Sequence, residues 1–370
     1  MTPRRLGTVE FVAMMATLFA MIALAVDAML PGLPEIAAEL SPDAANRAQL
    51  VIGVFMLGMG LGTFVAGPLA DAYGRRPVVF GGIIIFMTGA ILAYFANSLE
   101  LLLAARLVQG IGVAGPRIAP LAMIRDIYEG RKMAQISSFV MMVFMLVPAV
   151  GPYFGALVIE LANWRAIFIA IVVYAAFGGL WMALRQPETL ARADRRPFRL
   201  KVLRAGIGEI IGNRSVMIYV AAMTLGFAML VGLLSSTQQI YSETYGRADS
   251  FPAWFAGTAL VAALGTILNA WLVMRIGMRR LVLWAFGMQT LISVVVTVIL
   301  LSDRLAGDAG FALWFFWSSS MLFFVGLTFG NLNALALQQL GHIAGLAATV
   351  LAAVSSVAAV FFGGAVGLAF

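Results

Sequence analysis

The sequence predicts an all-α integral membrane protein built as two helix bundles, and three observations predict it. First, apolar residues make up 62% of the 370-residue chain and charged residues only 11%. A soluble domain carries about a quarter charged residues because its surface faces water, and this chain has too few to cover itself. Second, the apolar residues gather in eleven segments, each near the roughly 20 residues a helix needs to cross a bilayer. Third, the basic residues alternate between the two sides of those segments. Of 24 Lys and Arg, Arg47, Arg165, Arg247 and Arg304 fall on one side, Arg106 and Arg117 lie inside segments, and the other eighteen share the opposite side. Such an excess marks the cytoplasmic face, so the N-terminus is read as cytoplasmic.

The first span, 11–33, follows Thr2-Pro3-Arg4-Arg5, carries Asp27 and runs into Pro31-Gly32-Leu33-Pro34. It has no small-residue cleavage site and reads as a retained span, not a signal peptide. The second, 48–69, holds Gly58, Gly60 and Gly62, which read as close helix packing through Gly58-x-x-x-Gly62. A glycine-bounded loop from Gly67 to Pro77 leads into the third, 78–97. The fourth, 101–124, contains Arg106, Arg117 and the run Gly110-Ile111-Gly112-Val113-Ala114-Gly115. That G-x-G-x-x-G lies in an apolar helix with no strand before it, so it reads as a packing surface and not a nucleotide site. The fifth and sixth spans are 134–158 and 165–184, completing an N-terminal six-helix bundle over 1–184.

A polar linker, 185–213, follows, with a short surface helix expected near 198–213. Over 185–214, eight Lys and Arg face Glu188, Asp194 and Glu209, a local charge of +5. It reads as a solvated cytoplasmic linker, the alternative being a patch for anionic lipid or a partner. The C-terminal bundle, 214–370, shows spans at 215–240, 252–274, 281–301, 311–337 and 343–370. Gly277-Met278-Arg279-Arg280 repeats Gly74-Arg75-Arg76-Pro77, a weak internal repeat that points to two matching halves. Matching halves need a twelfth span, which is expected to be missing from this chain.

Several chemistries are excluded by counting. Cysteine is absent and His342 is the one histidine, which removes thiolate chemistry, cysteine-ligated zinc and a histidine-based triad or metal site. Lys132 and Lys201 are the only lysines and neither follows a glycine loop, so no phosphate-binding loop is present. No enzyme, cofactor, metal, nucleotide or nucleic-acid partner is expected. The net charge of +7 belongs to topology, because the arginines flank apolar runs.

Three charges lie well inside spans: Asp27, Arg106 and Arg117. A charge at mid-membrane costs about 2.5–3.5 kcal/mol on insertion scales, so these should face a bundle interior or a wet cavity. Asp27 and Arg106 sit at similar depth below the outer ends of their spans. Arg117 follows Arg106 by eleven residues, about three helical turns, which places both on one face about 16 Å apart in depth. It would contact an anionic group on a substrate, cap a neighbouring helix or snorkel to the inner head groups. In the second half, Gln238, Asn331 and Asn333 would either line a substrate path or bond between helices. Trp314 and Trp317 are assigned to the aromatic belt at an interface. Asp71, at the end of its span, would pair with the nearby arginines or a helix N-terminus and hold an inner gate; the alternative is a loop that only sets topology.

These residues carry a resemblance. Gly67-Pro68-Leu69-Ala70-Asp71-Ala72-Tyr73-Gly74-Arg75-Arg76-Pro77 resembles the signature loop of the major facilitator superfamily. Arg106-Leu107-Val108-Gln109-Gly110 is similar to its R-x-x-Q-G pattern, and Asn163-Trp164-Arg165-Ala166-Ile167-Phe168 to the W-R-x-I-F that opens its sixth helix. Pro148-Ala149-Val150-Gly151-Pro152-Tyr153-Phe154-Gly155 is similar to the antiporter-type motif, departing from it at Val147 and Ala156, where glycine is usual. Asp27-Ala28-Met29-Leu30-Pro31-Gly32-Leu33-Pro34 and Ile124-Arg125-Asp126-Ile127-Tyr128 look like the bicyclomycin-resistance branch of drug/proton antiporters. The likeness covers residues 11 to about 184 well and the second half in architecture only.

The resemblance implies two pseudo-symmetric bundles around a central cavity in a bacterial inner membrane. It implies a monomer that exports drug-like small molecules against protons by alternating access. Asp27 would be the protonatable group, coupled across the cavity to Arg106, which favours its charged form, and to Gln109. Gly67, Asp71, Gly74, Arg75 and Arg76 would form the cytoplasmic gate loop, and Pro148, Gly151, Pro152 and Gly155 the antiporter motif. Arg117, Gln238, Asn331 and Asn333 are the substrate-cavity candidates. Two other readings stay open: a proton-coupled carrier of a small, anionic metabolite, and a non-transporting receptor on the same fold.

Overall fold

Proline and glycine set where these helices bend and stop. The computed structural model describes residues 6–195, 200–301, 307–340 and 343–368. Helix α1 (Thr8–Asp27) ends just before Pro31 and Pro34, which deny the backbone two donors. The chain passes through a 3-10 turn, Leu30–Gly32, into α2 (Leu33–Leu40), and a second turn, Ala45–Gln49, starts α3 (Leu50–Tyr73). Gly74, at φ 109°, reverses the chain into α4 (Arg75–Tyr94); glycine enters that region without the cost a Cβ adds. Helix α5 (Leu99–Ile127) begins at Ser98, whose hydroxyl accepts from the Leu101 amide at 3.3 Å. Helices α6 (Gly130–Leu161) and α7 (Ala166–Arg185) follow, then α8 (Leu200–Gly212) within the linker region.

Asn213 caps α9 (Arg214–Gln239) by accepting from the amides of Ser215 and Val216 at 3.1 and 3.2 Å. One wide turn, Ile240–Thr244, extends it, and α10 (Phe251–Ile276) runs to Gly277 at φ 79°. The turn at Gly277 leads into α11 (Met278–Leu301), repeating the α3–Gly74–α4 junction. Helices α12 (Gly307–Gln338) and α13 (Ala344–Leu368) complete the described chain. Among the described residues eleven stretches are long and apolar enough to cross a membrane, the first running from Thr8 to Leu40 because α1 and α2 count as one.

The burial pattern is inverted relative to a soluble protein. Ile84, Val150, Leu184, Leu264, Met274 and Phe361 point outward, while Asp27, Arg106, Gln109 and Gln289 are buried. Helix α3 has two small-residue faces. A Cβ on Gly58 would lie 2.2 Å from the Leu107 carbonyl, and one on Gly110 would lie 2.1 Å from that of Phe55, so α3 and α5 touch backbone to backbone. Gly112 and Gly115 do the same against α4. The G-x-G-x-x-G run is thus a packing surface. Gly60 has a different partner: with Gly53 and Gly67, each seven residues apart, it faces Val357, Val360 and Thr349 of α13. This face is one seam between the first and second halves, and contact between α6 and α10 forms another.

One expectation is corrected. Trp314 is buried, edge to face with Tyr241 at 5.0 Å, in a cluster with Tyr245, Phe251 and Phe311. Ring quadrupoles satisfy one another there, so this indole does not face lipid head groups. Trp317 donates to Ser293 at 2.9 Å. In the first half α7 lies across α1 and α4. In the second half, an apolar cavity of about 810 Å³ opens between α9, α11, α12 and α13, lined by Leu225, Met229, Phe286, Met321 and Phe362.

Candidate functional site

Two buried charges, Asp27 and Arg106, lie near the bend of α1 without pairing. Asp27 is the last residue of α1 and is 4% exposed. It has no hydrogen-bond or ion-pair partner among the described residues. Helix α6 is pressed onto this bend by its glycines: a Cβ on Gly151 would sit 2.6 Å from the Asp27 Cβ, and one on Gly155 would sit 2.0 Å from the Ala28 carbonyl oxygen. Pro152 is buried beside them and Pro148 lies half-buried one turn earlier. The residues of the antiporter-type motif therefore set how closely α6 approaches Asp27.

Arg106 is fully buried in α5 and ties three other helices to it. Its Nε donates to the Val51 carbonyl of α3 at 3.1 Å, and one Nη to the Ala25 carbonyl of α1 at 3.0 Å. The other Nη donates to Gln109 Oε1 at 2.6 Å. The guanidinium lies 4.4 Å from the Phe55 ring centre and 6.0 Å from that of Phe168 in α7. No ion pair joins Arg106 to Asp27; their link is the Ala25 carbonyl, two residues before the acid. Carbonyl dipoles and ring faces take the place of a counter-charge, as a planar five-donor group allows. Gln109 Nε2 is buried without a partner among the described residues.

The loop residues form a second cluster. Arg75 pairs with Asp71 and, through Nε, with Asp126 at the end of α5 at 3.0 Å. The Glu188 carboxylate, from the stretch after α7, accepts from the amides of Arg75 and Arg76 at 2.9 and 3.0 Å. It thus caps the exposed amides at the α4 N-terminus, where an anion is favoured. Thr189 donates to Asp126 at 2.8 Å, and Arg76 to the Ala183 carbonyl at 2.9 Å. A Cβ on Gly67 would lie 2.6 Å from Thr349 Oγ1 of α13, so this loop abuts the second half. Glu188 was not foreseen as a site residue; its signal is the triplet Pro187-Glu188-Thr189 directly after a span.

The substrate-cavity candidates have different neighbours. Arg117 is half-buried and reaches Thr63 of α3 at 3.5 Å. Asn331 donates to Asn269 of α10 at 2.6 Å and to the Leu327 carbonyl, joining α12 to α10. Asn333 is half-buried two residues on. Gln238 is buried at the end of α9, its carbonyl oxygen without a partner among the described residues. At that same end, Arg165 pairs with Glu39 at 2.8 Å and Trp164 donates to it at 2.8 Å, fixing α7 to α2.

Among the described residues, eleven stretches long and apolar enough to cross a membrane, in two halves seamed along α3 and α13 with charges in their interior, have the build of a multi-pass membrane transporter. The chain belongs to the Major Facilitator Superfamily, whose sequence profile matches residues 14–368. It is 27% identical over 337 residues to the bicyclomycin resistance protein homolog of Haemophilus influenzae, covering 89% of this chain and 81% of that protein. It is 29% identical to multidrug resistance protein D of Escherichia coli, covering 69% and 67%. To multidrug resistance protein MdtL of Salmonella typhi it is 30% identical, covering 65% and 61%, so the match spans less than two thirds of that relative. A D-xylose–proton symporter structure shares the fold, with a TM-score of 0.77 at 14% identity over 98% of this chain and 90% of the symporter.

Proposed function

We propose that this transporter exports drug-like small molecules from a bacterial cytoplasm in exchange for protons, by alternating access between its two halves. The observation that carries the reading is Asp27: a buried acid without a bonding partner among the described residues, at a helix bend gripped by Gly151 and Gly155. An intramembrane acid of that kind is what a proton-coupled carrier needs. Arg106 and Gln109 support the site by fixing the backbone two residues away. The Asp71–Arg75–Asp126–Glu188 cluster is the cytoplasmic gate, and its position among the basic loops fits a cytoplasmic N-terminus in the inner membrane. The names of the bicyclomycin- and multidrug-resistance relatives support drug-like cargo. The transporter acts as a monomer, without nucleotide or cofactor.

The test is accumulation of a fluorescent cationic dye in pump-deficient cells. The protein should lower accumulation, and both a protonophore and Asp27→Asn should abolish the effect. Dye levels equal to the empty vector, with the protein present in the membrane, would overturn the reading. Arg117 favours a second reading, exchange of an anionic metabolite, because a half-buried cation on α5 suits an anion. Substrate-dependent proton movement in proteoliposomes separates the two by which cargo moves protons. A receptor on this fold would keep its activity when Asp71 is replaced.

A further inference from the structure

At the end of the molecule opposite the Arg75 cluster, the halves meet through uncharged side chains. Gln49, closing the turn before α3, donates through Nε2 to Gln239 Oε1 at the end of α9, 190 residues away. Gln239 Nε2 donates in turn to Asn46 Oδ1 at 2.9 Å and to Glu243 Oε2 at 3.2 Å. Behind them lies a small chamber of about 40 Å³, bordered also by Gln238, Ser235 and Leu33. Gln49 and Gln238 are 5% and 4% exposed, and the side-chain carbonyl oxygen of each has no partner among the described residues. The arrangement is therefore polar, buried and incompletely satisfied, which is an unfavourable way to build a permanent contact. It suits a contact that is made and broken. The Arg75 cluster at the other end lies wholly within the first half and the stretch after α7, whereas these amides join one half to the other, and a neutral amide bond has a small net value that a conformational change easily offsets.

We propose that Gln49, Gln239 and Asn46 form an amide latch that closes the outer end of the transport pathway and breaks each time that end opens. The inference rests on the alternating-access reading above. Its test uses the absence of native cysteine. Ser235, 2% exposed, sits one turn inside the latch on α9 and borders the same chamber. Ser235→Cys is labelled with a membrane-impermeant maleimide in vesicles of both orientations. Labelling should come from one face only. Adding Gln49→Ala should speed it about two- to tenfold, the equivalent of one neutral hydrogen bond. Gln239→Ala, which also removes the Asn46 bond, should speed it at least as much, and the double variant should be no faster than Gln239→Ala alone, because the bond that Gln49→Ala removes is then already gone. Unchanged rates, or effects of the two that multiply, would overturn the latch.

Dye export measured in the same vesicles separates the two ideas. Latch-dependent labelling without export by any form keeps the latch and sinks the export reading. Export with labelling that ignores Gln49 and Gln239 does the reverse. Each variant is first matched to the parent in thermal midpoint, so that misfolding is not mistaken for opening.

Discussion

At the scale of single residues, Asp27 and Arg106 play opposite parts although both are buried charges. Arg106 is bonded on every side, so its loss is a structural event. Arg106→Ala would leave the Val51 and Ala25 carbonyls and Gln109 Oε1 without their donor, a loss of about 3 kcal/mol or more. Its thermal midpoint in detergent should fall well below the parent's, with Arg106→Lys intermediate, because one ammonium cannot replace a planar fork. A parent-like midpoint for Arg106→Ala would remove the tying role. Asp27 bonds to nothing described. Asp27→Asn should therefore shift the midpoint by less than about 4 °C while losing proton-driven export. A collapse of the midpoint would make Asp27 a packing residue instead.

At the scale of elements, closeness of approach is the controlling quantity. Gly155→Val would force a side chain into the Ala28 carbonyl and push α6 off α1, at a cost of at least about 2 kcal/mol. Gly81, with open space around it, is the control: Gly81→Ala should keep the parent's midpoint. Glu188→Ala should release the first amides of α4, and hydrogen exchange at Arg75 and Arg76 should rise by the equivalent of about 1–2 kcal/mol. Unchanged exchange there would mean that Asp71 and Asp126 suffice. The spans were legible in the sequence because twenty apolar residues in a row have few other fates. The reversals at Gly74 and Gly277 were legible too, since a glycine between a span and a pair of basic residues marks a turn. Glu188 was not, because its role depends on chain more than 110 residues away folding back. Gln49, and with it the partner of Gln239, was hidden for the same reason, and Trp314 was misread because an indole near a span's end looks the same whether it meets lipid or other rings.

At the scale of the whole molecule, the halves meet along α3 and α13. A Cβ on Gly67 would lie 3.4 Å from the Thr349 Cβ, near the separation a disulfide needs. In this cysteine-free chain, Gly67→Cys with Thr349→Cys should oxidise readily. Export should stop in the oxidised protein and return on reduction. Continued export with the bridge fully formed would show that this seam does not move.

The two faces of α3 grip their neighbours differently. Toward α5, a methyl group added at Gly58 or Gly62 strikes main-chain oxygen, which no rotamer can move aside. Toward α13, one added at Gly53, Gly60 or Gly67 first meets the tips of Val360, Val357 and Thr349. The helix is thus riveted to one neighbour and rests on the other as a shaft rests on a bushing. The rivet has no spare tolerance, so variation should be scarce along Gly58 and Gly62. The bushing is made of replaceable side chains, so changes in how easily the halves slide should accumulate on the α13 side.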